Sequence, residues 1–255
     1  MRFSVNLSTV FTEYPFLERF TKAKEAGFQY VECQFPYNFS IEELKQAIHQ
    51  NQLELILLNL PPGDWTAGDR GLAAIPDRVE EFKKSVEYGI SYATVLGVNH
   101  IHCMAGIQES SDKAKETYVQ NIKYAAKKMA EHGIILLIEP INPQDMPGYF
   151  LSNLYEAIEL LQEIGLPNVK LQYDFYHMQK IHGNLISNLE KNISKIGHLQ
   201  IADVPGRNEP GTGEINYDNV FKAIGSTGYD GFVGLEYSPK GKSEDSFAWL
   251  KKGVQ

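Results

Sequence analysis

A single-domain (β/α)8 TIM barrel, in the α/β class, is the fold this sequence predicts, and three observations predict it. The chain has 255 residues, close to the ~250 that this architecture spends on one domain. A β-rich run, a loop and a helical stretch recur eight times along it. Several of the β-rich runs are almost continuously apolar, Ile134-Ile135-Leu136-Leu137-Ile138 most clearly, which suits parallel strands covered by helices. Eight such units could also make an open doubly wound sheet. No Gly-x-Gly-x-x-Gly follows the first run, so a dinucleotide fold lacks its signature and the barrel is preferred.

Strands are predicted over Phe3–Ser8, Tyr30–Phe35, Leu53–Leu60, His100–Gly106, Ile134–Ile141, Val169–His177, Ile196–Asp203 and Phe232–Ser238. Between them lie helical stretches whose ends carry physical signals. Pro15 can open the first because its fixed φ suits a first helical turn, and Gly27 can close it. Ser40-Ile41-Glu42-Glu43 has capping-box spacing, in which hydroxyl and carboxylate each satisfy a free backbone N–H. Asn153-Leu154-Tyr155-Glu156 has similar spacing with Asn as the cap. Val119, Ile122, Ala126 and Met129 recur at helical intervals, and Gly133 stands where that helix must stop. No linker, low-complexity tract or charge block interrupts the pattern, so residues 1–255 read as one domain.

Two connections are longer than the short βα loops of a compact barrel. One runs from Pro61 through Trp65 to about Arg78. The other spans Val204 to Asn216 and contains Arg207 and the Gly-Thr-Gly of Gly211–Gly213. Both follow strands, which puts them over the face where barrels hold their sites. Surface insertions would fit the same positions, but a Trp, an Arg and several glycines favour a substrate lid.

Composition narrows the partners. A hydrophobic fraction of 43% with 22% charged residues is ordinary for a folded chain and excludes a disordered or collagen-like one. Twenty-four basic against thirty-two acidic residues leave −8, and that field repels phosphate backbones and anionic bilayers. No nucleic acid and no membrane are expected as partners. A small anionic substrate remains compatible if cations gather locally in a cleft, and so does a homo-oligomer. Cys33 and Cys103 form no CxxC pair and read as buried packing groups. The segment Met1-Arg2-Phe3-Ser4-Val5-Asn6 enters strand-like sequence at once, and no apolar run approaches ~18 residues, so neither signal peptide nor membrane span is expected. The expected location is cytoplasmic.

The chemistry is carried by what terminates the apolar runs. The fifth ends in Glu139, the sixth in Asp174 and the eighth in Glu236, and the seventh carries Gln200 near its end. A lone carboxylate buried there is costly, so each needs a cation or a proton partner. Any one of them could be satisfied by backbone amides or water. Four on consecutive strands at one barrel face are better explained by a common centre. Three carboxylates and an amide oxygen form an all-oxygen ligand set, which suits Mg²⁺ or Mn²⁺ better than zinc.

His177, three residues after Asp174, reads either as a loop histidine or as a donor to substrate. Arg207 is either a solvated loop cation or a planar clamp for a carboxylate. His198 shares parity with Gln200 and reads as a satisfied group deeper in the barrel. His100 and His102 have no neighbouring motif and read as packing.

Motifs in order along the chain add a resemblance. They are Asn6-Leu7-Ser8, Phe35-Pro36-Tyr37, Pro62-Gly63-Asp64-Trp65 with Ala67-Gly68, and Ile138-Glu139-Pro140-Ile141-Asn142. They continue in Gln172-Tyr173-Asp174 with Tyr176-His177, Gly197-His198-Leu199-Gln200-Ile201-Ala202-Asp203, Glu209 through Tyr217, and Glu236-Tyr237. With these, nearly the whole chain resembles the hydroxypyruvate isomerase family of xylose-isomerase-like barrels. The resemblance implies a divalent metal held by Glu139, Asp174, Gln200 and Glu236, with Glu139 and Glu236 also acting as the proton donor and acceptor. Related sugar epimerases place His where Gln200 stands, so the amide marks this subgroup. It further implies a small anionic hydroxy-oxo acid as substrate; because a chain of net charge −8 needs a local cation for such a ligand, His177 or Arg207 is expected on its carboxylate, with Asn6 and Trp65 among the contacts. A sister group, the 2-oxo-tetronate isomerases, shares much of the pattern. Ile138-Glu139-Pro140, Tyr173-Asp174-Phe175-Tyr176 and Ala202-Asp203 stand closer to hydroxypyruvate isomerase.

The implied reaction moves a carbonyl one carbon along a three-carbon acid, from hydroxypyruvate to tartronate semialdehyde. A proton beside a carbonyl is a weak acid, so the enediolate charge must be stabilised while one glutamate removes a proton and the other delivers one. A hydride shift would use the same ligands. Other readings are an isomerase or epimerase acting on a four-carbon oxo-acid or a ketose, an endonuclease, and a non-catalytic metabolite-binding barrel. An endonuclease of the related barrel class would need a His-rich multi-zinc site and a basic groove, against the acidic balance found here.

Overall fold

Residues 1–252, which the computed structural model describes, wind eight parallel strands into a closed barrel in sequence order. The strands are β1 (Arg2–Asn6), β2 (Tyr30–Glu32), β3 (Glu54–Asn59), β4 (His100–His102), β5 (Ile135–Ile138), β6 (Val169–Asp174), β7 (Ile196–Ile201) and β8 (Phe232–Leu235). The helices are α1 (Glu18–Glu25), α2 (Ile41–Gln50), α3 (Val79–Leu96), α4 (Asp112–Ala130), α5 (Leu154–Ile164), α6 (Phe175–Ile181), α7 (Leu185–Asn192) and α8 (Tyr217–Ser226). Pairing of β1 with β8 closes the ring. Among the described residues, no helix is long and apolar enough to cross a membrane.

Most of the punctuation acts where the sequence predicts it; Pro15 does not open α1, which begins at Glu18 with Leu17 in the cap position. Ser40 accepts from Glu43 N while the Glu43 carboxylate accepts from Ser40 N, completing the capping box of α2. Asn153 caps α5 through Tyr155 N. Gly27 and Gly133 follow α1 and α4 with φ of +91° and +68°, where a side chain would be strained.

Every predicted strand except the third overruns the observed ladder by at least two residues at its C-terminal end. The cause is the splaying of tilted strands at the barrel mouth, where the backbone leaves its neighbours and bonds to loops. Thus Ile141 N donates to Leu151 O, Asp203 N to Asn208 O and Ser238 N to Arg207 O. The fourth strand overruns furthest, by four residues, and the sixth is corrected in kind. Asp174 ends β6 and at once caps α6, its Oδ1 accepting from Tyr176 N at 2.8 Å, so His177 lies in a helix and not in a loop.

Two-residue alternation sorts the side chains into two layers. Val5, Val31, Ile101, Tyr173, Leu199, Val233 and Leu235 point outward into the main apolar core beneath the helices. Ser4, Asn6, Glu32, His102, Gln172, Asp174, His198 and Gln200 take the other parity and are buried inside the ring. The barrel interior is therefore polar above a small apolar floor of Ile56, Leu57 and Leu137. Cys33 and Cys103 are free, buried thiols, as read from sequence.

Candidate active site

The site is assembled at the C-terminal mouth from groups on or just after β5, β6, β7 and β8. Glu139, Asp174 and His177 each place a ligand atom within 4.8 Å of the others. Arg207 Nη2 donates to Glu236 Oε2 at 2.6 Å and lies 3.3 Å from Asp174 Oδ2, bringing those carboxylates within reach of one nitrogen. Gln172 Nε2 does the same for the remaining pair, contacting Glu139 Oε2 at 3.1 Å and Gln200 Oε1 at 2.7 Å. The four strand-end residues singled out in the sequence thus converge on one small volume.

Its electrostatics are severe. Glu139, Asp174 and Glu236 are all buried, and among the described residues only the Arg207 guanidinium stands with them as a full positive charge. Burial, then repulsion from Glu236 and Asp174, pushes the Glu139 carboxyl well above the ordinary carboxylate range. Asp174 and Glu236 are also raised by burial, with Arg207 opposing the shift in each. Glu139 Oε1 has no hydrogen-bond partner at all. A buried carboxylate oxygen without a donor is expensive unless a cation takes that place.

Arg207 is thus not the solvated loop cation that a surface insertion would carry. Its side chain is 29% exposed and ion-paired to two carboxylates. Its loop is held by Asp203, whose carboxylate accepts from four backbone amides: Val204, Gly211, Gly213 and Ile215. The chain closes so tightly there that a Cβ on Gly213 would sit 2.0 Å from Val204 O. Arg207 itself adopts φ +53°, a left-handed conformation that costs a non-glycine residue energy and is sustained by these anchors. The loop is a fixed wall more than a free flap.

His177 is buried, with Asn142 Nδ2 at 2.7 Å from its Nδ1. An amide N–H must donate, so Nδ1 accepts and the ring proton lies on Nε2, 3.6 Å from Asp174 Oδ2. Burial and the nearby Arg207 lower its pKa well below the usual value, so it faces the site as a neutral N–H donor. Trp65 lies in the other long loop, 43% exposed, tilted over Phe35 and covered by the Arg70 guanidinium at 3.8 Å. The Asn6 amide hydrogens go to Glu32 and Glu236 and its oxygen accepts from Ser8 N, so it holds Glu236 in place.

Three contributors escaped the sequence reading. Glu32 lies under the site, bonded to Ser4, Asn6, His198 and Gln200. Gln172 links Glu139 to Gln200. His102, read as packing, lies 3.6 Å from Glu139 Oε2 with neither ring nitrogen hydrogen-bonded, and burial holds it neutral, with its pKa lowered to about 3. The available signal was parity: each sits two residues from another polar group on its strand or level with one on the next.

Residues 20–253 match the family described as xylose isomerase-like TIM barrel. The hydroxypyruvate isomerase of Escherichia coli (strain K12) is 49% identical over 253 residues, covering 98% of each chain. The chain belongs to the hydroxypyruvate isomerase family of these barrels. The 2-oxo-tetronate isomerase of Cupriavidus necator is 43% identical over 98% of this chain and 97% of its own. Among solved structures, an AP endonuclease, family 2, from Brucella melitensis superposes with a TM-score of 0.96 at 46% identity, covering 98% of both chains. A 3-keto-D-glucoside 4-epimerase from E. coli shares the fold, with a TM-score of 0.78 at 23% identity.

Proposed function

We propose that the protein is a metal-dependent ketol isomerase that interconverts hydroxypyruvate and tartronate semialdehyde by proton transfer between Glu139 and Glu236. The observation that carries this reading is the pair itself. Two buried glutamates from different strands meet at one site, and burial raises both carboxyls above the ordinary carboxylate range, which suits groups that must take and give protons. Membership of the isomerase family supports the reaction class.

The residues fit a divalent cation. Three buried carboxylates against one guanidinium leave excess negative charge, Glu139 Oε1 lacks a partner, and the donors are hard oxygens. Glu139, Asp174, Gln200 and Glu236 would hold the ion, with Mg²⁺ or Mn²⁺ the metals that match, and it would supply Lewis-acid stabilisation of the enediolate charge. The chain's own groups do the rest. One glutamate takes a proton from C3 of hydroxypyruvate, the other gives one to C2, and the hydroxyl proton passes from the C3 oxygen to the C2 oxygen. His177 Nε2–H and the Arg207 fork are the donors available for the substrate carboxylate. The long loop bearing Trp65 would shield the mouth from water, and a soluble cytoplasmic setting suits such a substrate.

Two comparisons test this. Turnover of hydroxypyruvate should exceed that of 2-oxo-tetronate and free ketoses; the reverse order would move the assignment to the sister activity. No incision of abasic-site DNA is expected, because a net charge of −8 repels a phosphate backbone and offers no basic groove to hold it. Arg207→Ala and His177→Ala should raise KM for hydroxypyruvate at least tenfold in one variant or both, as loss of a charge-assisted hydrogen bond costs ~1.5–3 kcal/mol. Unchanged KM in both would remove them from the substrate carboxylate.

A further inference from the structure

The barrel interior holds a second buried carboxylate centre that the proton-transfer scheme does not use. Glu32, fully buried on β2, has its two oxygens filled by four donors. Oε2 receives Ser4 Oγ at 2.7 Å and His198 Nε2 at 2.9 Å. Oε1 receives Gln200 Nε2 at 2.8 Å and Asn6 Nδ2 at 3.1 Å. Four accepted bonds are the full capacity of a carboxylate, and neither a carboxylic acid nor an amide could accept them all.

This centre has a directional consequence. Gln200 can point either its oxygen or its NH2 toward the mouth, and only the oxygen can ligate a cation. Glu32 captures the Nε2 end from below, which leaves Oε1 facing Gln172 and the site, where a second lone pair stays free. The other partner, Asn6, passes the constraint to Glu236 Oε1 at 2.9 Å. On the neighbouring strand, Gly234 stands level with both Gln200 and Ser4. A Cβ there would lie 2.5 Å from Glu32 Oε2, and its three nearest atoms all belong to the Glu32 carboxyl group. The glycine is the space in which that carboxylate sits.

We propose that Glu32, seated against Gly234 and His198, is a positioning residue that fixes the amide of Gln200 with its oxygen toward the metal. The proposal rests on Gln200 being a ligand, as read above, and the experiment separates the two. Mn²⁺ binding is measured by calorimetry and by the Mn²⁺ electron paramagnetic resonance signal, on intact protein freed of metal, for Glu32→Gln, Gln200→Ala, the double variant and Gly234→Ala. Glu32→Gln should weaken Mn²⁺ about 10- to 100-fold, the range seen when the group orienting a ligand is lost. In the Gln200→Ala background the same change should have little further effect, whereas loss of a distant negative charge alone would act equally in both. Gly234→Ala keeps the charge and displaces the carboxyl end of Glu32, so, with folding checked by circular dichroism, it should weaken Mn²⁺ in the same direction. Additive effects of Glu32→Gln and Gln200→Ala, or unchanged affinity in Gly234→Ala, would overturn the positioning role while leaving the ligand set intact. Unchanged affinity in Gln200→Ala would overturn the ligand reading and this proposal with it.

Discussion

Glu139→Gln and Glu236→Gln are each expected to lower kcat on hydroxypyruvate by about 10²- to 10⁴-fold, the contribution of a positioned general acid or base. Glutamine keeps the volume and one acceptor oxygen, so the contact from Gln172 to residue 139 can persist while proton exchange is lost. The same substitution should act on stability with the opposite sign. Glu139 in the folded protein holds its proton well above its ordinary value of 4.5, chiefly through burial. Between those two pKa values the folded state binds more protons than the unfolded one, so metal-free protein loses stability as pH rises through and beyond 4.5. Glu139→Gln removes that penalty. Its metal-free Tm at neutral pH should equal or exceed that of the parent and depend less on pH. Near-normal kcat in either variant would reject the assigned pair, and a lower, more pH-sensitive Tm would reject the repulsive electrostatics.

Chelation is the second large effect. Dialysis against EDTA should reduce turnover by about a thousandfold or more, since a Lewis acid stabilises developing charge by several kcal/mol. Restoring Mg²⁺ or Mn²⁺ should recover it. Stability should follow, because an ion that relieves repulsion among Glu139, Asp174 and Glu236 binds only the folded chain. At 100-fold excess over Kd, that adds about 2.7 kcal/mol. Full activity in protein shown by elemental analysis to be metal-free would contradict the ligand assignment.

Much of this architecture was legible before any coordinates. The eight-fold rhythm became the closed ring, and the Ser40–Glu43 and Asn153 caps appear where their side chains can satisfy free N–H groups. Glu139, Asp174, Gln200 and Glu236 stood out because polar groups ending apolar strands are costly unless they meet. Strand ends were less legible, since hydrophobicity continues past the point where the ladder stops: Ile141 and Val204 are as buried as the strands before them. His177 was misplaced for a related reason, because Phe175-Tyr176 fits a strand and a helix equally well once Asp174 is not recognised as a cap. Glu32 and Gln172 were missed because a polar residue within a β-run belongs to either face until its partners are known. The parity shared by Ser4 with Asn6, Gln172 with Asp174, and His198 with Gln200 marks the inner face, and Glu32 joins it only through the register that sets it beside Asn6.

The central claim is that Glu139 and Glu236 move a proton between adjacent carbons of a hydroxy-oxo acid. Following hydroxypyruvate with the metal-loaded enzyme in D₂O by proton and carbon NMR tests it most directly. Tartronate semialdehyde carrying solvent deuterium at C2 is the expected product. Absence of the aldehyde, or an aldehyde whose C2 hydrogen comes wholly from substrate with no solvent exchange, would contradict it.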